Sequence, residues 1–139
     1  MNLVVNTNRI IAALIKDSFT RKIIFHGNFE LFTIPMSEEE VQRYRTEILQ
    51  KARITPSQFG VIIEKLNEKL ILLPDELVET KMKEAKKIMD KIDKDDTIFI
   101  AAALATKSGI WSEDKHFQRQ NKVKIWKTRD LMSLVDYED

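Results

Sequence analysis

The sequence predicts an α/β fold of three layers, in which helices cover both faces of a central parallel sheet of four to five short strands. Short apolar segments alternate with segments of helical periodicity along the chain, which is typical of strands joined by crossover helices. The apolar segments are continuous rather than alternating, as expected for strands buried on both faces. The chain has 139 residues, of which 43% are hydrophobic, so we expect one domain covering residues 1–139.

The first four predicted elements are a strand, two helices and a second strand, at residues 4–5, 10–15, 20–26 and 30–34. The first helix is predicted because isoleucine and leucine recur at helical spacing between Ile10 and Ile15. Gly27 favours the end of the second helix. Pro35 ends the second strand, because proline cannot donate a hydrogen bond within a sheet.

Two helices and a third strand are predicted next, at residues 37–52, 55–69 and 70–73. Ser37, followed by three glutamates, favours the start of a long helix. The second helix has a stronger start signal, since Thr55 suits the N-cap, Pro56 the first helical position and Gln58 the third. Pro74 ends the strand.

The remaining predicted elements are helices at residues 79–92, 97–107, 114–120 and 128–135, with strands at 110–112 and 122–126. The helix at residues 97–107 is apolar on nearly every side, so we expect it to be buried. An acidic connection from Asp93 to Asp96 precedes this helix, and Gly109 ends it.

The composition excludes several classes of site. The chain has no cysteine, which rules out disulfides, zinc–thiolate sites and cysteine nucleophiles. It also has no glycine motif for binding phosphates or dinucleotides. The net charge of +1 argues neither for nor against a nucleic-acid partner. No apolar segment reaches the roughly 18 residues of a membrane span, and no signal peptide is apparent, so we expect a cytoplasmic protein that does not enter a membrane.

Polar and acidic residues collect where the strands are expected to end, which is where open parallel sheets bind ligands. These groups are Asn6-Thr7-Asn8, the acidic run from Glu38 to Glu40, Asp95-Asp96, and Ser112-Glu113-Asp114. Carboxylates aimed at one point repel one another unless a cation lies between them. Oxygen ligands in a chain without cysteine indicate Mg²⁺ or Mn²⁺.

Each of these acidic residues also has an ordinary structural interpretation. Ser37 and Glu40 fit a capping box at the start of a helix. Either Asp95 or Asp96 fits an N-cap. Asp114 lies at the start of a short helix, where a carboxylate suits the helix dipole.

Helical periodicity narrows the choice of acidic residues without completing it. The apolar side of the helix at residues 37–52 excludes Glu39, which faces away from it, and leaves both Glu38 and Glu40. The helix that follows residue 96 is apolar on every side, so it does not distinguish Asp95 from Asp96.

Four segments, in this order and spacing, resemble the motifs of the PIN-domain family. The segments are Val4-Val5-Asn6-Thr7-Asn8, Pro35 followed by Glu40-Val41-Gln42-Arg43-Tyr44, Asp96-Thr97-Ile98-Phe99-Ile100-Ala101-Ala102-Ala103-Leu104, and Trp111-Ser112-Glu113-Asp114-Lys115. The family pattern has Asp-Thr-Asn after the first strand, a glutamate four residues before an aromatic residue, an aspartate opening an alanine-rich helix, and Thr-Gly-Asp after a later strand. The resemblance extends over essentially the whole chain.

The resemblance implies a metal-dependent ribonuclease that hydrolyses single-stranded RNA, often the toxin of a toxin–antitoxin pair and often a homodimer. Carried over residue by residue, the catalytic and metal-binding site would consist of Asn6, Glu40, Asp96 and Asp114. Thr7 and Ser112 would be polar groups that orient ligands or water.

Three positions depart from the family pattern. Asn6 stands where the pattern has aspartate, Glu113 replaces the usual glycine, and His116 stands where many members carry a further acid. An amide oxygen can bind a metal ion but carries no charge, so the affinity for metal should fall. The alternative hypothesis is therefore a catalytically impaired module that binds RNA or a protein partner.

Two further sets of side chains are candidates for contacts with partners. Arg9, Lys115 and Arg119 lie near the predicted site in sequence and are candidate phosphate contacts, although a solvated charged face is the simpler interpretation of each. An apolar stripe on the helix at residues 55–69 is either a core face or a surface for a dimer partner or an antitoxin. The stripe consists of Phe59, Ile62, Ile63 and Leu66.

Overall fold

A five-stranded sheet forms the centre of the fold in the computed structural model, which describes residues 1–135. The strands are β1 (Asn2–Val5), β2 (Glu30–Thr33), β3 (Leu70–Leu72), β4 (Gly109–Trp111) and β5 (Ile125–Trp126). They lie in the order β3-β2-β1-β4-β5, and every pairing is parallel, which confirms the predicted sheet. Leu3 of the central strand pairs with Leu31 on one side and Gly109 on the other.

Helices connect the strands and cover the sheet. They are α1 (Thr7–Ile15), α2 (Phe19–His26), α3 (Pro35–Arg43), α4 (Arg45–Ala52), α5 (Pro56–Lys69), α6 (Asp75–Glu79), α7 (Met82–Met89), α8 (Thr97–Thr106) and α9 (Thr128–Met132). Short 3₁₀ helices lie at Lys94–Asp96 and Lys115–Arg119. Within residues 1–135, no helix is long and apolar enough to cross a membrane.

The sheet separates two apolar cores, one on each face. Leu3 and Val5 belong to a core that includes buried residues of α1, α2, α4 and α5. Val4 belongs to the opposite core, with buried residues of α6, α7 and α8. Neighbouring residues of a strand point to opposite faces, so β1 supplies both cores. The predicted three-layer arrangement is therefore confirmed.

Helix α8 is the most deeply buried helix of the second core, as its all-round apolar sequence predicts. Its residues from Phe99 to Ala103 are all buried. Because residue 96 immediately precedes α8, a buried helix fixes the position of the Asp96 backbone at the edge of the sheet.

The single helix predicted at residues 37–52 is wrong, since two helices, α3 and α4, meet at Tyr44. Tyr44 has φ −95° and ψ 12°, outside the helical region. Val41 and Ile48 are both buried, and they are seven residues apart, so the apolar period continues through the break and does not reveal it. Helix α3 also starts earlier than predicted, with Pro35 at its first turn.

Other predicted boundaries change in the same way. The helix predicted at residues 79–92 is shortened to α7, a separate helix α6 precedes it, and the helix predicted at residues 114–120 is a 3₁₀ helix. The last helix ends at Met132 rather than at residue 135, and residues 136–139 of the predicted domain lie outside the described residues. Phe59 and Leu66 of the apolar stripe are buried in the first core, so these two residues belong to a core face.

Candidate metal centre

The four residues of the predicted site line a single cleft at the edge of the sheet where the strands end. In chain order they are Asn6 after β1, Glu40 on α3, Asp96 before α8 and Asp114 after β4. The cleft has a volume of about 480 Å³. The chain leaves β1 towards β2 and leaves β4 towards β5, in opposite directions across the sheet. The cleft therefore lies at the switch point of the sheet, where open α/β folds bind ligands.

Asn6 is 4% exposed, and both ends of its side-chain amide are engaged. Its Oδ1 accepts a hydrogen bond from the Asn8 N–H at 3.1 Å, which caps α1. Its Nδ2 donates to Ser112 Oγ at 3.0 Å, and the same hydroxyl accepts from the Asp114 N–H at 2.9 Å. Ser112 therefore ties the end of β1 to the segment that carries Asp114. An amide oxygen has two lone pairs, so Oδ1 retains one for a cation.

Glu40 is held by a chain of two hydroxyl groups. Thr7 Oγ1 donates to Glu40 Oε1 at 2.9 Å and lies 2.8 Å from Ser37 Oγ. A hydroxyl has one proton, so the Ser37 hydroxyl must donate to Thr7 while Thr7 donates to Glu40. The expected capping box of Ser37 and Glu40 is therefore wrong: Ser37 lies inside α3, is fully buried and contacts Thr7.

A histidine joins the carboxylates at the other end of the cleft. The His116 Nδ1 lies 2.9 Å from Asp93 Oδ2 and 3.4 Å from both Asp96 Oδ2 and Asp114 Oδ1. One ligand atom from each of Asp93, Asp96 and His116 falls within 4.8 Å of the others, close enough to hold one metal ion. In the sequence Asp93 is recognisable only as part of an acidic connection, because its proximity to His116 depends on how two 3₁₀ helices fold.

Asp96 has a raised pKa. Burial, the largest cause, and the charges of Asp114 and Asp93 together raise it from 3.8 to about 6, against the opposing effect of His116. Asp96 is 9% exposed, and among residues 1–135 its buried Oδ2 has no short hydrogen-bond partner, with the His116 Nδ1 3.4 Å away. A buried acceptor without a partner among repelling acids is what a divalent cation would stabilise, so these residues fit a metal ion.

The predicted phosphate contacts lie elsewhere than expected. Lys115 and Arg119 are exposed on a 3₁₀ helix and do not line the cleft. Arg9 lines a neighbouring cleft. The cations that line the metal centre are Arg43 and Lys94. Arg43 could have been found from sequence, because it lies three residues after Glu40 and so shares its side of α3.

Glu113 is turned away from the metal centre. Its Oε1 accepts a hydrogen bond from the Thr128 N–H at 2.6 Å, at the start of α9. Its side chain lines the neighbouring cleft together with Arg9. Glu113 therefore contributes to a different surface from Asp114, although the two residues are consecutive.

Comparison with known proteins identifies the family. A solved structure of VapBC2 from Rickettsia felis, bound to a DNA fragment from their promoter, contains a chain with a TM-score of 0.70. The alignment covers 91% of this chain and 98% of that chain at 13% sequence identity, a likeness of fold alone. No curated protein matches the sequence significantly. A family model described as the PIN domain matches residues 4–135, and the chain therefore belongs to the PIN-domain family.

Proposed function

We propose that this protein is a divalent-metal-dependent ribonuclease that hydrolyses phosphodiester bonds in single-stranded RNA. PIN domains are generally metal-dependent nucleases, and this membership supports the reaction class. The observation that carries the proposal is the buried Oδ2 of Asp96, which has no short hydrogen-bond partner in the described part of the chain and lies in a cleft also lined by Glu40 and Asp114. A buried carboxylate oxygen without a partner, close to other carboxylates, destabilises the fold in the absence of a cation and provides a ligand when a cation binds.

The side chains of this centre have distinct roles in the proposal. Glu40, Asp96 and Asp114 would hold Mg²⁺ or Mn²⁺, which would lower the pKa of water and neutralise charge on the scissile phosphate. Thr7 orients Glu40 through the hydrogen bond to Oε1. Ser112 orients both Asn6 and the backbone of Asp114. These two hydroxyl residues position the binding groups without touching the substrate.

His116 and Asp93 extend the proposed set of ligands. Imidazole nitrogen is a poor ligand for Mg²⁺, which prefers oxygen, whereas transition metals accept it. The contacts of His116 Nδ1 with three carboxylates support a nitrogen ligand at this centre. We therefore expect Mn²⁺ to bind more tightly than Mg²⁺.

The test is cleavage of single-stranded RNA by the natural sequence and by Asn6→Asp at saturating Mn²⁺. Asn6→Asp adds a fourth carboxylate, and the Ser112 hydroxyl can turn to donate to it while still accepting from Asp114. We expect cleavage by both proteins, with Asn6→Asp needing less Mn²⁺ for half-maximal rate. Asp96→Asn serves as the inactive control. If neither the natural sequence nor Asn6→Asp cleaves RNA, although circular dichroism shows both to be folded, the ribonuclease proposal is contradicted.

A specific observation favours a second candidate function, a catalytically impaired module that binds RNA or a protein partner. Both ends of the Asn6 amide are already hydrogen bonded, so this residue works well as a helix cap without metal. Calorimetric titration with Mn²⁺ separates the candidates. An impaired module would bind Mn²⁺ only weakly and still bind RNA with an affinity that falls with salt.

We further propose a cytoplasmic protein that pairs with an antitoxin and forms a homodimer. The structural similarity to a chain of the VapBC2 structure supports the antitoxin partner. A cleft of about 960 Å³ between α2 and α5, lined in part by Phe19, Phe25, Val61 and Ile62, offers apolar side chains to a protein segment. Light scattering coupled to size-exclusion chromatography measures the dimer, and a monomer at micromolar concentration would contradict it.

A further inference from the structure

A second cleft, of about 430 Å³, lies beside the metal centre and is predominantly cationic. We call it the cationic cleft and define it by Arg9, Phe19, Glu113, Lys127, Thr128 and Arg129. Three of these residues are cations and one is an anion, which leaves a local charge of +2. The metal centre is acidic by contrast, so the two adjacent clefts have opposite character.

Arg9 is incompletely satisfied in the cationic cleft. Its Nε is buried and has no hydrogen-bond partner within residues 1–135. One terminal nitrogen makes only a long contact, 3.4 Å, with Thr128 Oγ1, which also accepts from the Trp111 indole N–H at 3.1 Å. A buried guanidinium donor without a partner is costly, and phosphate oxygens match the guanidinium geometry well.

Glu113 supplies an anion inside this cleft. Its carboxylate accepts the Thr128 N–H at 2.6 Å, in a position that a phosphate oxygen could also use. The residue that follows it, Asp114, lines the metal centre. Consecutive Cα atoms are about 3.8 Å apart, so the two clefts share a border at this peptide.

Phe19 provides an aromatic surface at the same cleft. Phe19 is 62% exposed, at the first position of α2. Single-stranded nucleic acids bind to cationic surfaces that carry exposed aromatic rings, because the cations contact phosphates while the rings stack on bases. Arg9, Lys127, Arg129 and Phe19 form such a combination.

We propose that the cationic cleft binds the RNA strand next to the bond being cut, with phosphate on Arg9, Lys127 and Arg129 and a base on Phe19, and that Glu113 competes with this phosphate. The proposal rests on the proposed function for the identity of the strand. An acidic peptide would also suit the charge, but the border with the metal centre and the exposed ring favour a polynucleotide. The carboxylate of Glu113 then lowers the affinity of the cationic cleft for RNA, because it occupies a position that the phosphate would use.

The experiment measures binding without cleavage. Fluorescence anisotropy follows a labelled single-stranded oligoribonucleotide in EDTA at several salt concentrations. Lys127→Gln and Arg129→Gln remove cations, Glu113→Gln removes the anion but keeps an acceptor for Thr128, and Phe19→Ala removes the ring. Lys83→Gln on α7 and Glu47→Gln on α4 are matched controls, since both residues are exposed and line neither cleft.

We expect the two cation variants to weaken binding several-fold and to reduce the salt slope by about 0.7 each. Glu113→Gln should tighten binding, Phe19→Ala should weaken it by roughly tenfold, and the controls should match the natural sequence. No binding in low salt, or variants that all behave as the controls do, would overturn the proposal. Polyglutamate serves as a second ligand in the same assay. If the cation variants lose affinity for polyglutamate while their RNA affinity stays unchanged, the proposal is overturned in favour of an acidic protein ligand.

Cleavage assays in Mn²⁺ keep this proposal separate from the proposed function. RNA binding that responds to the cleft variants without any cleavage contradicts only the ribonuclease proposal. If the protein cleaves RNA but none of the cleft variants changes its RNA affinity, only the proposal of the cationic cleft is contradicted.

Discussion

Single hydrogen bonds decide which carboxylates line the candidate cleft. Glu38 and Glu40 are equivalent in the sequence pattern, and the structure separates them because Thr7 donates to Glu40. That contact joins residues 33 positions apart, so helical periodicity cannot reveal it. Asn6 was predicted from sequence as a metal ligand, which stays a prediction, and the structure shows it capping α1 through its hydrogen bond to the Asn8 N–H.

Asp96 should make the stability of the metal-free protein depend on pH. Its pKa is 3.8 ordinarily and about 6 in the folded chain, so the folded state binds more protons between these values. Stability therefore falls as pH rises from about 4 through about 6. Asp96→Asn removes this loss and should stabilise the metal-free protein above pH 7 by on the order of 2–3 kcal/mol. Urea unfolding at pH 4 and pH 8 in EDTA measures both effects. An Asn variant no more stable than the natural sequence at pH 8 would contradict this account.

His116 should set the preference among metals. His116→Gln removes the imidazole nitrogen while keeping a polar side chain of similar reach. We expect the Mn²⁺ affinity to fall by at least roughly tenfold and the Mg²⁺ affinity to change much less. Calorimetry gives both affinities, and electron spin echo spectroscopy of bound Mn²⁺ should show ¹⁴N coupling that disappears in the variant. No nitrogen coupling in the natural sequence would exclude His116 as a ligand.

Helices and strands differ in how far the sequence predicted them. The start of α5 was predicted correctly, because both hydrogen bonds of its capping box are local: Thr55 with Gln58. The break at Tyr44 was not predicted, because the apolar period continues through it. Capping residues therefore predict where a helix starts. A break such as the one at Tyr44 does not alter the spacing of the apolar residues, so the sequence pattern does not reveal it.

Alanine substitutions at two glycines should change the stability of the protein in opposite directions. Gly60 lies in α5, and an added Cβ would have no neighbour within 4 Å, so Gly60→Ala should stabilise the protein by about 0.5–1 kcal/mol. A Cβ at Gly109 in β4 would lie 2.9 Å from Lys124 O and from Trp126, so Gly109→Ala should destabilise it by about 1–3 kcal/mol. Thermal unfolding compares the pair. Equal melting temperatures would contradict the close packing of β4 on β5.

At the scale of the whole molecule, the positions of residues that directly follow the sheet strands could be predicted from the sequence. Residues after parallel strands necessarily reach one edge, which is why Asn6 and Asp114 were correctly expected on the same side. The position of Asp93 was not predictable, because it depends on how the 3₁₀ segment at Lys94–Asp96 packs, whereas only the family resemblance placed His116 near the site. Arg9 was predicted as a phosphate contact of the metal centre, and the fold turns it into the neighbouring cleft.

Binding of metal should stabilise the entire fold. An ion that binds only the folded chain at about 100 times its dissociation constant contributes about 2.7 kcal/mol. For a chain of this size the melting temperature should rise by roughly 8 °C. Asp114→Asn should lose most of this rise, whereas Glu47→Gln on α4 should retain it. Differential scanning calorimetry with Mn²⁺ and with EDTA makes the comparison, and equal rises in both variants would place the ion elsewhere.

The order of strands also determines when the centre can exist during synthesis. β4 lies beside β1, yet more than a hundred residues separate them along the chain, and Asp114 and His116 come later still. A ribosome must therefore complete most of the polypeptide before the two halves of the centre can meet. A nascent chain therefore carries Asn6 and Glu40 from early on, but Asp114 can join them only after β4 has paired with β1.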